Sequence, residues 1–300
     1  MAKEIKGVLS ALITPFDVAG GIDEVALRAV VDRSIDGGVH GVVACGSTGE
    51  FTSISSDQRR RVVEITVAQV GGRVPVVAQT GALSTAEAIR LSRHAESVGA
   101  DVVMLVAPYY EPLSQELMAR YMRSVAESVS IPVMLYNNPS ATGVNLLPET
   151  VGALARQVEN IQYVKNTTAD MAQTADLIHN YQDVISTIGG WDTLLLAALV
   201  EGVAGVMVGT ANLIPSAIVE LWQAVQTGDI HLARKTWDRV YPVMDAVMRQ
   251  PYIPTVKAVL RAEGVPVGFA SDPADIVDAA TTAQITNLVA AARHHDGGDR

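Results

Sequence analysis

The chain has 300 residues, 49% of them hydrophobic and 18% charged, which is enough apolar content for a large buried core and excludes the disordered class. A formal net charge of −10 with no run of lysine and arginine argues against a phosphate-backbone partner, so no nucleic acid is expected. The single cysteine, Cys45, excludes an intrachain disulfide and reads as a small core residue.

The first residues, Met1 to Gly7, carry Lys3, Glu4 and Lys6 with no uninterrupted apolar stretch and cleavage site behind them, so no signal peptide is expected. Gly7 to Pro15 (GVLSALITP) predicts a short apolar strand stopped by proline. Asp23 is placed to cap a helix over Glu24 to Ile35, where apolar residues recur at helical spacing. After a Gly-Gly break, Gly41 to Cys45 (GVVAC) is a continuous apolar run of the kind parallel strands have, because helices cover both faces of such a sheet. The pattern repeats with helix Ser56 to Val70, strand Val74 to Thr80, helix Thr85 to Val98, strand Asp101 to Ala107, helix Gln115 to Ser128 and strand Ile131 to Tyr136. It continues with helix Pro148 to Gln157, strand Ile161 to Lys165, helix Met171 to Tyr181, strand Val184 to Ile188, helix Thr193 to Val200 and strand Gly205 to Val208. Pro215 opens a further helix to Gln226 at the favoured first-turn position. Asp229 to Arg293 is helical by pattern, with breaks at Pro251, Gly264 to Phe269 and Pro273, and the tail His294 to Arg300 is polar.

Eight strand and helix alternations at about 25–30-residue spacing predict an α/β fold, a (β/α)8 TIM barrel over residues 1–226 with a C-terminal helical bundle over 227–300 packed on it. The competing fold is an open doubly wound sheet. A dinucleotide fingerprint would favour it, and Gly46-Ser47-Thr48-Gly49 has neither that spacing nor a Walker lysine. The longest apolar tract, Leu194 to Ile214, contains Glu201 and Asn212 and reads as helix, glycine turn and strand, not as a membrane span. A cytoplasmic protein without a membrane partner is expected.

In a barrel of this kind functional groups gather where strands end and loops begin. The strand ends offer Thr14, Ser47 and Thr48, Thr80, Tyr109 and Tyr110, Tyr136 and Asn137, Lys165, Gly189 and Gly190, and Gly209 and Thr210. Only Lys165 among them is charged. The chain has five lysines, and between Lys6 and Lys235 this is the sole one. A strand-end lysine can be a snorkelling or salt-bridging residue. It can also be a nucleophile, since desolvation favours the neutral amine, which attacks a ketone and gives an iminium that acts as an electron sink. Tyr136 is the right type for a general acid/base or for an amphipathic rim residue. Ser47 and Thr48 are either turn and capping residues or hydroxyls of a carboxylate cradle. Glu50 reads as a structural acceptor for backbone amides. His40, His94, His179 and His231 are isolated and His294 and His295 belong to the tail, so no metal site and no cofactor are expected.

Gly46-Ser47-Thr48-Gly49-Glu50, Pro108-Tyr109-Tyr110, Tyr136-Asn137-Asn138-Pro139 with Thr142-Gly143, and Val164-Lys165 follow one another on successive strands. In that order they resemble the dihydrodipicolinate synthase / N-acetylneuraminate lyase superfamily over residues 5 to 290. The resemblance implies a (β/α)8 barrel with a C-terminal helical bundle, assembled as a homotetramer of two tight dimers and acting on pyruvate or a similar 2-oxo acid. It implies that Lys165 forms the Schiff base, that Tyr136 shuttles protons with Ser47 as relay, and that Tyr110 crosses the dimer interface to complete the neighbouring relay. Thr48 matches the residue that binds the pyruvyl carboxylate, and Gly49, Thr167, Gly189 and Met207 are further implied substrate contacts.

Three departures bear on the second substrate. Synthases of this family carry an arginine after Tyr-Asn-x-Pro for the semialdehyde carboxylate, where this chain has Ser140-Ala141-Thr142. Thr193 follows Gly190-Trp191-Asp192 where neuraminate lyases have a glutamate, and Asn166 stands where synthases often have an acid. The expected activity is aldol cleavage, condensation or dehydration of a 2-keto-3-deoxy sugar acid or hydroxy-oxo acid. Dihydrodipicolinate synthesis is the alternative within the enzyme class, and a catalytically silent 2-oxo-acid-binding barrel the alternative outside it.

Overall fold

The computed structural model describes residues 4–271 and 276–293. The break expected at Pro273 and the tail His294 to Arg300 lie outside the described residues, as does Lys3. The strands are Gly7–Ala11 (β1), Gly41–Ala44 (β2), Val76–Gln79 (β3), Val102–Val106 (β4), Val133–Asn137 (β5), Ile161–Asn166 (β6), Ser186–Gly189 (β7) and Gly205–Val208 (β8). All are parallel and close in chain order, with β8 returning to β1. The barrel predicted from the spacing is therefore present.

The helices are Glu24–Asp36 (α1), Ser56–Val70 (α2), Thr85–Ser97 (α3), Gln115–Ala126 (α4), Pro139–Thr142 (α5), Pro148–Gln157 (α6), Met171–Tyr181 (α7), Leu195–Glu201 (α8), Pro215–Gln226 (α9), Ile230–Met248 (α10), Tyr252–Ala262 (α11) and Ala279–Arg293 (α12). Side-chain caps fix several starts. Asp23 accepts the Ala26 N–H, and Ser55 with Gln58 forms a full capping box. The single turn α5 had no periodicity to announce it, and the helix expected from Thr193 begins as a 3-10 turn over Asp192–Leu194. The first strand stops at Ala11 instead of running to Pro15.

Burial explains the continuous apolar runs. Every residue of β1 to β5 and of β8 is buried, and in β6 only Gln162 is exposed. Gln162 is the extra residue of a register shift. Val133 pairs with Ile161, and the next residue, Met134, pairs with Tyr163. Such a bulge places two residues opposite one and bends the strand.

After the barrel, α10 packs on α9 and α12, and α11 packs on α12. Glu263 at the end of α11 is gripped from two sides, by Arg33 of α1 at 2.8 Å and Arg293 of α12 at 2.6 Å. Among the described residues no helix is long and apolar enough to cross a membrane.

Closure of the barrel depends on close backbone approach between β1 and β8. A Cβ on Gly205 would lie 2.3 Å from the Gly7 carbonyl oxygen, and backbone cannot yield as a side chain can. Gly205→Ala is expected to lower unfolding free energy by about 3 kcal/mol, read from denaturant melts, because the seam between first and last strands must open to admit a methyl group.

Candidate active site

The β5–β6 pairing sets Tyr136 beside Lys165 and Asn137 beside Asn166. Because side chains alternate along a strand, the first pair shares one face and the second pair the other. Tyr136 and Lys165 meet in the barrel mouth, where the Lys165 Nζ lies 4.2 Å from the Tyr136 ring centroid and both residues are buried. The Tyr136 hydroxyl accepts from Asn138 Nδ2 at 3.0 Å and lies 3.4 Å from Ser47 Oγ, at the long end of hydrogen-bonding range. Ser140 Oγ donates to Asn138 Oδ1 at 2.9 Å and so orients that amide.

On the other face, Asn137 and Asn166 join a buried cluster of amides. Asn137 Nδ2 reaches Asn145 at 2.8 Å and Asn166 at 3.2 Å, and Asn145 Nδ2 reaches Gln173 at 2.7 Å. This neutral network fastens the two strand ends that carry Tyr136 and Lys165.

A cavity of about 300 Å³ opens over the pair. Ser47, Thr48, Tyr136, Lys165, Thr167 and Met207 all line it, so six of the nine residues proposed from sequence come together. Thr167 Oγ1 is buried with no partner, a free hydroxyl beside the amine. Gly190 is required here, because a Cβ would lie 2.1 Å from that oxygen and 2.7 Å from Lys165 Cε.

Gly49, Gly189 and Tyr110 are not in the cavity wall. Gly49 turns toward β1, its carbonyl accepting from Thr14 Oγ1 at 2.7 Å. Gly189 packs its backbone against Ala198 and Val206. Tyr110 is exposed and lines a separate surface cavity with Leu117 and Arg120. Of the other strand-end residues, Thr80 pairs with Ser92 under α3 and Thr210 donates to Asp192.

Sequence reasoning assigned no role to Asp192 or Tyr252, and both line the cavity. Asp192 Oδ1 accepts from Thr210 Oγ1 at 2.6 Å and from the Tyr252 hydroxyl at 2.8 Å. Asp192 was legible as the carboxylate following Gly189-Gly190 at a strand end. Tyr252 arrives from α11, sixty residues away, with no local signal. Lys165 is the only cation among the lining residues, and the wall where a carboxylate-binding arginine was sought presents Ser140.

Burial pushes the Asp192 carboxyl above its ordinary range, against the two hydroxyl donors, and burial together with Asp192 pushes the Tyr252 phenol up. For Tyr136 burial also opposes ionisation, yet the Lys165 ammonium and the bonds from Ser47, Lys165 and Asn138 outweigh it and hold the phenol below its usual value. Removing the ammonium leaves burial to dominate. Lys165→Met is therefore expected to move the Tyr136 transition to higher pH, read as the tyrosinate absorbance that Tyr136→Phe abolishes. Gly190→Ala is expected to displace the lysine and cut turnover roughly 100-fold, the scale of about 1 Å of misplacement.

The sequence model of the dihydrodipicolinate synthetase family matches residues 4–292. The chain is 41% identical over 259 residues to the 4-hydroxy-tetrahydrodipicolinate synthase of Syntrophus aciditrophicus, covering 86% of this chain and 88% of that one. It is 44% identical over 230 residues to the synthase of the same name from Pelobacter propionicus, covering 77% and 79%. Among solved structures it superposes on a prophage protein of the dihydrodipicolinic acid synthase family from E. coli K12 in complex with pyruvate. That match has a TM-score of 0.92 at 30% identity and covers 97% of this chain and 99% of that one. With the family model spanning nearly the whole chain, this protein belongs to the dihydrodipicolinate synthetase family of class I, Schiff-base lyases.

Proposed function

We propose that Lys165 condenses with the ketone of a pyruvate-type 2-oxo acid and that the resulting enamine makes or breaks a bond to a hydroxylated partner. The neutral amine attacks the carbonyl carbon, the carbinolamine loses water, and the iminium acidifies the neighbouring carbon. Tyr136 accepts and returns the protons these steps move, with Ser47 as the relay to solvent, and Thr48 and Thr167 offer hydroxyls to the 2-oxo acid's oxygens. The observation that carries this reading is the buried amine 4.2 Å from the Tyr136 ring in a cavity with no second cation. A proton relay beside a nucleophile also argues against a silent binding barrel, which needs neither.

The cavity lining supports a reading of the second reactant. The lining holds the Asp192 carboxyl and Ser140 and no arginine, so it favours the hydroxyls of a 2-keto-3-deoxy sugar acid or hydroxy-oxo acid over an anionic aldehyde. A second reading, condensation of pyruvate with aspartate semialdehyde, is favoured by the 41–44% identity to proteins named 4-hydroxy-tetrahydrodipicolinate synthase. In both readings the remaining proposals are the same. The barrel ends at residue 226 and the helical bundle follows it, Met207 lines the 2-oxo acid end while Gly49 and Gly189 back it from outside the cavity wall, and Tyr110 completes the relay of a neighbouring subunit in a cytoplasmic homotetramer.

Incubation with pyruvate and borohydride is expected to add one reduced adduct, located at Lys165 by mass spectrometry. No adduct with any 2-oxo acid on folded protein sinks the reading. Turnover is expected to vanish in Lys165→Ala and to fall by roughly 100-fold or more in Tyr136→Phe. A panel of 2-keto-3-deoxy sugar acids run against pyruvate with aspartate semialdehyde separates the two substrates, and preferential turnover of the semialdehyde selects the synthase.

A further inference from the structure

Gly46 to Gly49, the turn that carries Ser47 and Thr48, is bracketed by two non-glycine residues in the left-handed region, Cys45 at φ 57° and Glu50 at φ 58°. Left-handed backbone is unfavourable for residues with a Cβ and persists only where surroundings impose it. Cys45 is held by burial and by its thiol, which donates to the Arg59 carbonyl at 3.5 Å. Glu50 is held by the C-terminal part of the chain. Its Oε1 forms an ion pair with Lys257 of α11, and its Oε2 accepts the Ser271 N–H at 2.6 Å and the Ser271 hydroxyl at 2.8 Å.

Among the described residues Lys257 is the largest fully buried side chain, with no exposed surface. Its ammonium also donates to the Phe269 carbonyl at 3.0 Å and lies 4.2 Å from the centroid of the Phe16 ring. The segment that brings Phe269 and Ser271 is pressed onto the loop after β1, since a Cβ on Gly268 would lie 2.1 Å from the Phe16 carbonyl oxygen. None of these groups lines the cavity, so the pair has no direct part in chemistry. A buried charge pair is retained at a desolvation cost, and here what it joins is the strained end of the turn and the helix that also supplies Tyr252.

We infer that Lys257 and Glu50 are positioning residues that hold the Ser47–Thr48 turn in its left-handed frame and thereby set the carboxylate end of the site. This role rests on the proposed binding of a 2-oxo acid by Thr48, but its structural half is testable without it. The amides of Gly49, Glu50 and Ser53 close the turn by donating to Gly46, Ser47 and Glu50 carbonyls. Their hydrogen exchange reports the turn directly.

The variant Lys257→Met with Glu50→Gln removes both charges together, so no buried charge is left unpaired. In protein that melts cooperatively, these three amides are expected to exchange about tenfold faster while those of β5 and β6 stay unchanged. The KM for pyruvate is expected to rise by about tenfold with a smaller change in kcat, a split that a loss of stability alone does not produce well below the melting temperature. Exchange at the turn within about twofold of the parent overturns the inference. If the double variant does not fold, Ser271→Ala decides on the same amides, with an expected rise of about threefold and no change as the overturning result. Failure of the parent to form a pyruvate adduct would sink the Schiff-base reading instead, and the exchange result would still decide whether the pair holds the turn.

Discussion

The register of β5 against β6 is the constraint on which the site depends. If the Val133–Ile161 pairing continued without the register shift, Met134 would pair with Gln162 and Tyr136 with Val164, and Lys165 would fall one position beyond its partner. Side-chain direction has a period of two residues, so a shift of one changes which face of the sheet each meets. The bulge instead sets Tyr136 level with Lys165 and leaves the extra side chain, Gln162, in solvent, where its polarity costs nothing. Asn137 and Asn166 then pair one step further on, and their amide network keeps the strand ends in that alignment.

Burying an amine is unfavourable unless something compensates it. Among the described residues Lys165 makes no salt bridge, and the one carboxyl in its cavity, Asp192, is engaged by Thr210 and Tyr252. What faces the amine is Tyr136, through its π-surface and its hydroxyl, a weaker partner than a carboxylate. The same proximity draws the Tyr136 phenol toward its ionised form.

Much of this was legible in the sequence, and the limits are physical. Continuous apolar runs such as Gly41 to Cys45 gave the barrel away, because strands buried on both faces need no polar alternation. Lys165 stood out by isolation, and Tyr136, Ser47 and Thr48 by their places at strand ends. Gly49 and Gly189 stand near strand ends yet outside the cavity wall, because a residue there can face either the mouth or the surrounding helices, and a one-residue offset decides which. Asp192 and Tyr252 form one hydrogen bond across sixty residues, and neither periodicity nor motif reports a contact at that separation. The Glu50 carboxylate does accept a backbone amide, that of Ser271, but its ion pair with Lys257 joins residues more than two hundred positions apart and was equally silent.

That long-range contact bears on how far the barrel makes a site by itself. Met248 at the end of α10 and Tyr252 and Ile253 at the start of α11 complete the cavity wall, so part of the site comes from beyond the eight strands. Two ion-pair anchors hold α11 in place, the partly exposed clamp of Arg33 and Arg293 on Glu263 and the buried pair of Lys257 and Glu50. Partly exposed pairs contribute on the order of 0–1 kcal/mol, whereas removing one partner of a buried pair costs about 3–5 kcal/mol. The buried pair is therefore the one whose loss from a single side would disturb α11 more, and it ties that helix directly to the turn after β2. Lys257 lies on the same helix as Tyr252, and Glu50 follows the turn that bears Thr48, so the pair connects two elements that both supply the cavity wall.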